Sequence, residues 1–205
     1  MELTNKQEEG LKMAVNRYNL GMPYTVISGY AGSGKSTLVK FIVAALNLDE
    51  DDVAYVAYTG KAAQVLKSKG CPNAMTAHKL LYHAQQTKTG NYIFKPKPYI
   101  EENPKLIVVD EVSMIPQEIW ELLLRHRIHV LALGDPGQLP PVKEDANEIL
   151  EHPHIFLDEI MRQAQESAII RLSMHIREGK DFKQFESVPG EVRIIPKRFL
   201  FNDED

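Results

Sequence analysis

The segment Gly29-Tyr30-Ala31-Gly32-Ser33-Gly34-Lys35-Ser36-Thr37 comes directly after the apolar run Tyr24–Ser28. A glycine-rich turn between a short apolar run and a helix-forming stretch restricts the chain to a strand–loop–helix unit built into a sheet. The spacing G-x-x-x-x-G-K-[ST] is that of a phosphate loop. Its glycines reach backbone angles closed to other residues, so successive N–H groups can curl around phosphate oxygens. Lys35 can reach the β- and γ-phosphates, and the Ser36 hydroxyl can ligate Mg²⁺. A helix opening at Ser36 adds its positive end. Gly29, Ala31, Gly32, Ser33, Gly34, Lys35, Ser36 and Thr37 are thus the expected contacts to a nucleoside triphosphate. The loop does not say what the energy is used for.

The same alternation runs along the chain. Thr4 is placed to cap a helix carrying Leu11, Ala14, Val15 and Tyr18 on one side, ended by Gly21 and Pro23. Apolar runs recur at Tyr24–Ser28, Val53–Ala57, Leu106–Val109 and Val130–Leu133, each predicting a buried strand. Helices are predicted over 36–46, 61–68, from Thr76 to Leu81, over 116–124 and over 165–177, with a last short strand at Val192–Ile195. Buried runs alternating with helices imply an α/β fold, a parallel β-sheet flanked by helices on both faces. Tyr82–Pro104 breaks the pattern: it is polar, with a Thr89-Gly90-Asn91 turn and alternation in Tyr92-Ile93-Phe94-Lys95. It reads as a small β-hairpin insertion.

At 205 residues the chain fits one domain, or one domain with an appendage. No apolar stretch approaches the roughly 20 residues of a membrane helix, and the N-terminus lacks the apolar core of a signal peptide. The single Cys71 cannot form an internal disulfide, which points to a reducing, cytoplasmic compartment. His126 and His129 flank a strand start and read as surface residues. His152-Pro-His154 has no Cys or acidic cluster to support a metal. Net charge is −4, yet the stretch from Val53 to Ile100 holds seven Lys and no Asp or Glu, leaving −11 on the rest. That asymmetry suits either a polyanionic partner or a solvated basic face.

Two further stretches carry chemistry. Leu106-Ile-Val-Val-Asp110-Glu111 delivers two carboxylates at the C-terminal end of an apolar strand, where ligands bind in open α/β sheets. Asp110 would hold Mg²⁺, and Glu111 would polarise an attacking water as general base. In Leu131-Ala-Leu-Gly-Asp135-Pro-Gly-Gln138-Leu-Pro140-Pro141-Val142 a strand again ends in a polar turn. The Gln138 amide can contact a γ-phosphate or the water, and Pro140 and Pro141 stiffen the chain beyond the turn.

These stretches, in this order, resemble the first motor domain of a superfamily 1 helicase of the RecD/Dda type, from Leu3 to about Lys180. The resemblance implies a RecA-like P-loop NTPase fold using ATP and Mg²⁺. Leu3–Gln7 resembles the Q motif, whose Gln, here Gln7, reads the adenine edge. Gly29–Thr37 resembles motif I, and Asp110-Glu111 motif II. Gly134–Pro141 resembles motif III. Leu157–Gln163 resembles motif IV, whose Arg, here Arg162, contacts the γ-phosphate. Ala57–Ala63 and Met75–Leu80 resemble motifs Ia and Ib, which in the family face single-stranded DNA. That implies DNA contacts from Thr59, Gly60, Lys61, Thr76, His78, Lys79, Pro140 and Pro141, with a structural role for His78 as the alternative. The hairpin sits where these helicases insert a strand-separating pin. Tyr92 or Phe94 would stack on a base, or both rings would pack the hairpin onto the core.

Only 43 residues follow Arg162, too few for the second RecA-like domain of the family at about 30 residues per βαβ unit. The expected organisation is a RecA-like ATPase domain over 1–180, with the hairpin at 82–104, and a linker or start of a second domain over 181–205. The resemblance implies an ATP hydrolase that moves 5′ to 3′ on single-stranded DNA once a second RecA-like domain is present. Two other readings stand beside it: a DNA-binding or assembly module with a weak ATP site, and a P-loop phosphotransferase acting on a small acceptor.

Overall fold

The computed structural model describes residues 3–86, 90–138, 149–159, 167–192 and 194. They fall into two compact units, one of residues 1–30 and 35–158, the other of residues 31–34 and 159–205. The first unit is an α/β layer structure. Helix α1 (Asn5–Asn19) precedes strand β1 (Tyr24–Gly29) and helix α2 (Lys35–Ala45). Strand β2 (Val53–Ala57), helix α3 (Gly60–Ser68), the two-residue strand β3 (Met75–Thr76) and helix α4 (Ala77–Leu81) come next. Strands β4 (Tyr82–Gln86) and β5 (Tyr92–Pro96) form the hairpin. Strand β6 (Leu106–Val109), helix α5 (Gln117–Arg125), strand β7 (His129–Gly134) and strand β8 (Ile155–Leu157) complete the unit.

The sheet has six parallel strands in the order β3-β2-β6-β7-β1-β8. Side chains alternate across it, as strand geometry requires. Ile107 and Val109 of β6 join Val26, Val56 and Val130 in a core closed by α4 and α5, with Leu80, Leu123 and Trp120 buried in it. Leu106 and Val108 point the other way, with Ile27, Leu131 and Ile155, onto α2 residues Leu38 and Ile42. Because both faces are covered, the central strand β6 is apolar along its whole length.

Local chemistry sets the boundaries. Thr4 Oγ1 accepts from the Gln7 N–H at 3.3 Å, and Gln7 Oε1 accepts from the Thr4 N–H at 3.1 Å, a reciprocal cap on α1. Thr59 and Thr76 cap α3 and α4 through their hydroxyl oxygens, which accept from Ala62 and Lys79 at 3.2 Å each. Helix α3 ends in a Schellman motif. Gly70 takes φ +94°, its N–H donates to Lys67 O, and the Cys71 N–H donates to Leu66 O at 3.1 Å.

The structure corrects three sequence expectations. His129 is not a surface residue but opens β7. Its Nδ1–H donates to Met22 O at 2.7 Å, and its Nε2 accepts from the Thr25 hydroxyl at 3.0 Å. His126 is half-buried, with Nε2 shielded from solvent, because α5 runs one residue further than predicted and tucks its cap inward. The strand predicted at Val192–Ile195 reduces, among the described residues, to an isolated antiparallel bridge between Val188 and Val192. Residues 193 and 195 lie outside the described set.

The second unit contains helix α6 (Ala168–Arg177) and a short 3₁₀ turn at Phe182–Gln184. The Ala168 N–H donates to Glu191 at 2.9 Å, so the turn near Val192 helps start the helix. Among the described residues no helix is long and apolar enough to cross a membrane.

Candidate functional site: a nucleotide edge and a basic, aromatic face

Strands β6, β7 and β1 are neighbours in the sheet, so their C-terminal ends lie side by side over about 10 Å. Three chemistry-bearing segments leave from these ends. The phosphate loop leaves β1, Asp110-Glu111 leaves β6, and Asp135–Gln138 leaves β7. Nothing in their sequence separation requires that proximity; the strand order supplies it.

Lys35 starts α2, and its ammonium donates to the carbonyl oxygens of Gly29 and of Tyr30, the latter at 3.1 Å. Gly32 and Gly34 sit at φ +79° and +84°, in the left-handed region where a side chain would be strained. Ser36 lies on the first turn of α2 and shares the wall of one cavity with Asp110. Asp110 extends the β2–β6 pairing through its N–H to Val56 O at 2.9 Å. Its Oδ1 accepts from the Glu111 N–H at 3.1 Å. One hydroxyl and one half-buried carboxylate on a common wall are hard oxygen donors of the kind Mg²⁺ takes.

Glu111 is exposed and sits at φ 52°, ψ 52°, a left-handed conformation uncommon for a residue with a Cβ. That geometry reverses the chain into the 3₁₀ turn Val112–Met114 and presents the carboxylate outward.

Asp135, to which sequence reasoning gave no role, shapes the turn that carries Gln138. It is buried, its Oδ1 accepts from the Gly137 N–H at 2.8 Å, and its carbonyl accepts from the Gln138 N–H at 3.1 Å. This is an Asx turn inside a β-turn with Pro136 second. It holds Gln138 at the surface beside the β6 and β1 ends. Asp-Pro-Gly was the available signal. Gln7 is buried, with its Oε1 on the Thr4 N–H. Pro140, Pro141 and Arg162 lie outside the described residues.

The second region lies beyond β2 and β3. Thr59, Gly60, Lys61, His78 and Lys79 are exposed, and Thr76 is half-exposed. Each capping threonine uses an oxygen lone pair and keeps its hydroxyl proton to donate. His78 stacks on Tyr82 with centroids 5.6 Å apart and a 23° interplanar angle. It stands edge-on to Phe94 at 6.5 Å and tilted to Tyr58 at 5.8 Å. Tyr58 and Tyr82 were not singled out by sequence. Their signal is position, Tyr58 within motif Ia and Tyr82 opening β4.

On the hairpin, Tyr92 pairs with Gln86 and Phe94 with Ala84, so both rings share one face with Tyr82. Tyr92 is 62% exposed and Phe94 57%, so neither packs the hairpin onto the core. Lys97 departs from the basic-segment reading. It is only 8% exposed, its N–H donates to Leu81 O at 2.7 Å, and its ammonium lies 3.6 Å from Glu101. It fastens the root of the hairpin and is not placed to grip phosphate.

The fold and this edge define a P-loop nucleoside-triphosphatase of the RecA-like kind. The family described as an AAA domain matches residues 2–194. The chain belongs to that family and is a superfamily 1B helicase motor domain. It is 34% identical over 168 residues to the ATP-dependent RecD2 DNA helicase of Deinococcus radiodurans, covering 78% of this chain and 22% of that protein. To the ATP-dependent DNA helicase dda of Enterobacteria phage T4 it is 26% identical over 190 residues, covering 87% and 43%. Among solved structures, Bacteroides Pif1 bound to ssDNA superposes with a TM-score of 0.58 at 20% identity, covering 88% of this chain and 47% of that one. Pif1 helicase from Candida albicans gives 0.55 at 24% identity, covering 86% and 44%. The chain thus spans less than half the length of each of these relatives.

Proposed function

We propose that this chain is the ATP-binding half of a 5′–3′ DNA helicase motor. The observation that carries the reading is the shared edge: three adjacent strands bring Lys35, the Ser36–Asp110 wall, Glu111 and the Gln138 turn to one place. Residues 1–180 act as the RecA-like domain with the hairpin of 82–104 inserted, and 181–205 lead toward a second RecA-like domain.

The phosphate loop Gly29–Thr37 wraps the triphosphate with its N–H groups, and Lys35 moves from the Gly29 and Tyr30 carbonyls to the β- and γ-oxygens. Gln7 reads the adenine. Ser36 and Asp110 would hold Mg²⁺, which supplies charge neutralisation for phosphoryl transfer. Glu111 accepts a proton from the attacking water. Gln138 orients that water or touches the γ-phosphate, and Arg162 contributes charge to it.

Single-stranded DNA lies along α3, α4 and the hairpin. Thr59, Gly60, Lys61, Thr76 and Lys79 take the phosphates, and Pro140 and Pro141 are further contacts to the strand. His78, Tyr92 and Phe94 offer ring faces to bases, each worth about 1–3 kcal/mol where stacking is complete. Translocation needs two domains that close on ATP and reopen after hydrolysis, so this chain alone turns over slowly and does not unwind.

The deciding experiment is the ATPase rate with and without single-stranded DNA, for wild type and Lys35→Ala. Slow turnover, stimulated by DNA and lost in the variant, supports the motor. Salt-sensitive DNA binding with no turnover would support a non-catalytic module instead. Turnover indifferent to DNA would favour a phosphotransferase.

A further inference from the structure

A cleft of about 500 Å³ lies between α2 and α3, and the proposed hydrolysis uses only its upper wall. Its floor is apolar: Val39 and Leu66 line it together with Val108 and the ring of Tyr55. The Schellman turn after α3 creates the far wall, because Gly70 swings the chain back and sets Cys71 against Leu66. Two cations stand on opposite sides of the opening, Lys40 on α2 and Lys69 at the cap of α3, both exposed. Ser36 and Asp110 form the end nearest the phosphate loop.

This lining has the composition of a small-molecule site, mostly apolar with a few convergent polar groups, and its volume is in the usual range. A flat apolar body would cover Val39, Val108 and Tyr55. A single anionic group at the mouth would meet Lys40 and Lys69. Asp110 at the inner end disfavours a second negative charge deeper in. Inorganic phosphate fits the apolar floor poorly. Burial raises the pKa of the Cys71 thiol, with Lys40 opposing and Asp110 adding. The thiol is therefore a neutral wall group.

We propose that the α2–α3 cleft binds a small planar organic anion, an aromatic body bearing one sulfonate or carboxylate, and that its occupancy weakens nucleotide binding through the shared Ser36–Asp110 wall. The coupling half rests on the proposed nucleotide site; the cleft half does not.

The test uses the whole chain and the fluorescent probe 1-anilinonaphthalene-8-sulfonate. Cys71 is the only cysteine, so alkylation by iodoacetamide reports on this wall alone. Saturating probe should slow that alkylation about tenfold, and Lys40→Ala/Lys69→Ala should weaken probe binding about tenfold, two exposed charge contacts together. The urea midpoint of the double variant should not move, which separates lost binding from lost folding. Probe fluorescence without protection of Cys71 would place the dye elsewhere and overturn the site, as would protection untouched by removing both lysines. Mg²⁺·ADP affinity is measured with and without probe. A fall with probe supports the coupling, and equal affinities overturn it. If Mg²⁺·ADP does not bind at all, the nucleotide reading and the coupling fall together, while the alkylation result still decides the cleft.

Discussion

Glu111 holds a backbone conformation that glycine would adopt freely, and replacing it separates stability from catalysis. An L-residue in the left-handed region costs about 1–2 kcal/mol relative to its right-handed form. Glycine escapes that cost but gives up about 0.5–1 kcal/mol in unfolded-state entropy. Glu111 is exposed at φ 52°, ψ 52°, and its N–H donates to Asp110 Oδ1, a bond from the main chain that survives any substitution but proline. Glu111→Gly should therefore stabilise the chain by about 0.5–1 kcal/mol. For a chain of this size that is roughly 1–2 °C in Tm. Glu111→Ala keeps the Cβ and should stay within about 0.5 kcal/mol of wild type. All three variants Gly, Ala and Gln should lose hydrolysis by about 10²-fold or more if Glu111 is the general base. Urea and thermal unfolding followed by Trp120 fluorescence, beside an ATPase assay, read both quantities. A Gly variant no more stable than the Ala variant would refute the strain argument. Retained hydrolysis in Glu111→Gln would refute the assigned role.

Packing and titration give two other expected outcomes. A Cβ at Gly10 would lie 2.9 Å from Ile155 Cγ2 and 3.2 Å from Leu38 Cδ2, whereas one at Gly60 meets nothing within 4 Å. Overpacking at about 1–3 kcal/mol exceeds a helix-propensity gain of about 1, so Gly10→Ala should lower the urea midpoint while Gly60→Ala raises it; the same sign at both sites would contradict the α1 packing. Burial, with Arg17 adding, lowers the pKa of His129 and His154, and His154 Nδ1 accepts from the Val26 N–H at 3.0 Å. Both imidazoles are held neutral, so their contribution is complete above the unfolded pKa of about 6.5 and is lost as pH falls below it. Stability should drop as pH falls from about 7.5 to about 5.5, the span around that unfolded value, and a flat or rising profile over that window would be inconsistent with these contacts.

Much of the frame was legible because its signals are local. Val53–Ala57 and Leu106–Val109 are strands with the predicted limits, since uninterrupted apolar runs have no other home in a layered α/β fold. Thr4 and Thr76 read as helix starts because their hydroxyls do the capping. What stayed hidden depends on neighbours distant in sequence. Strands β3 and β8 have two and three residues, too short for any periodicity, and exist only because β2 and β1 offer them an edge. A charge count cannot tell Lys97 from the exposed lysines around it. His129 looked peripheral because its partners, Met22 and Thr25, lie more than a hundred positions away. The exposure of Tyr92 and Phe94 was undecidable from alternation, which fixes a shared face but not whether anything covers it.

Under the function proposed above, the contacts of Lys35 bear on how fast the site would exchange its nucleotide. Its ammonium already rests on two main-chain oxygens of the segment that leads into the loop. A triphosphate arriving there trades one set of oxygens for another, so the gain from this cation is a difference between two ligations and smaller than a fresh ion pair. By the same token, a departing diphosphate leaves behind no stranded charge. The lysine falls back onto Gly29 and Tyr30, which lowers the barrier to release. In the proposed motor, tight grip would thereby be exchanged for turnover, a setting that suits repeated cycles better than long-term storage of a nucleotide.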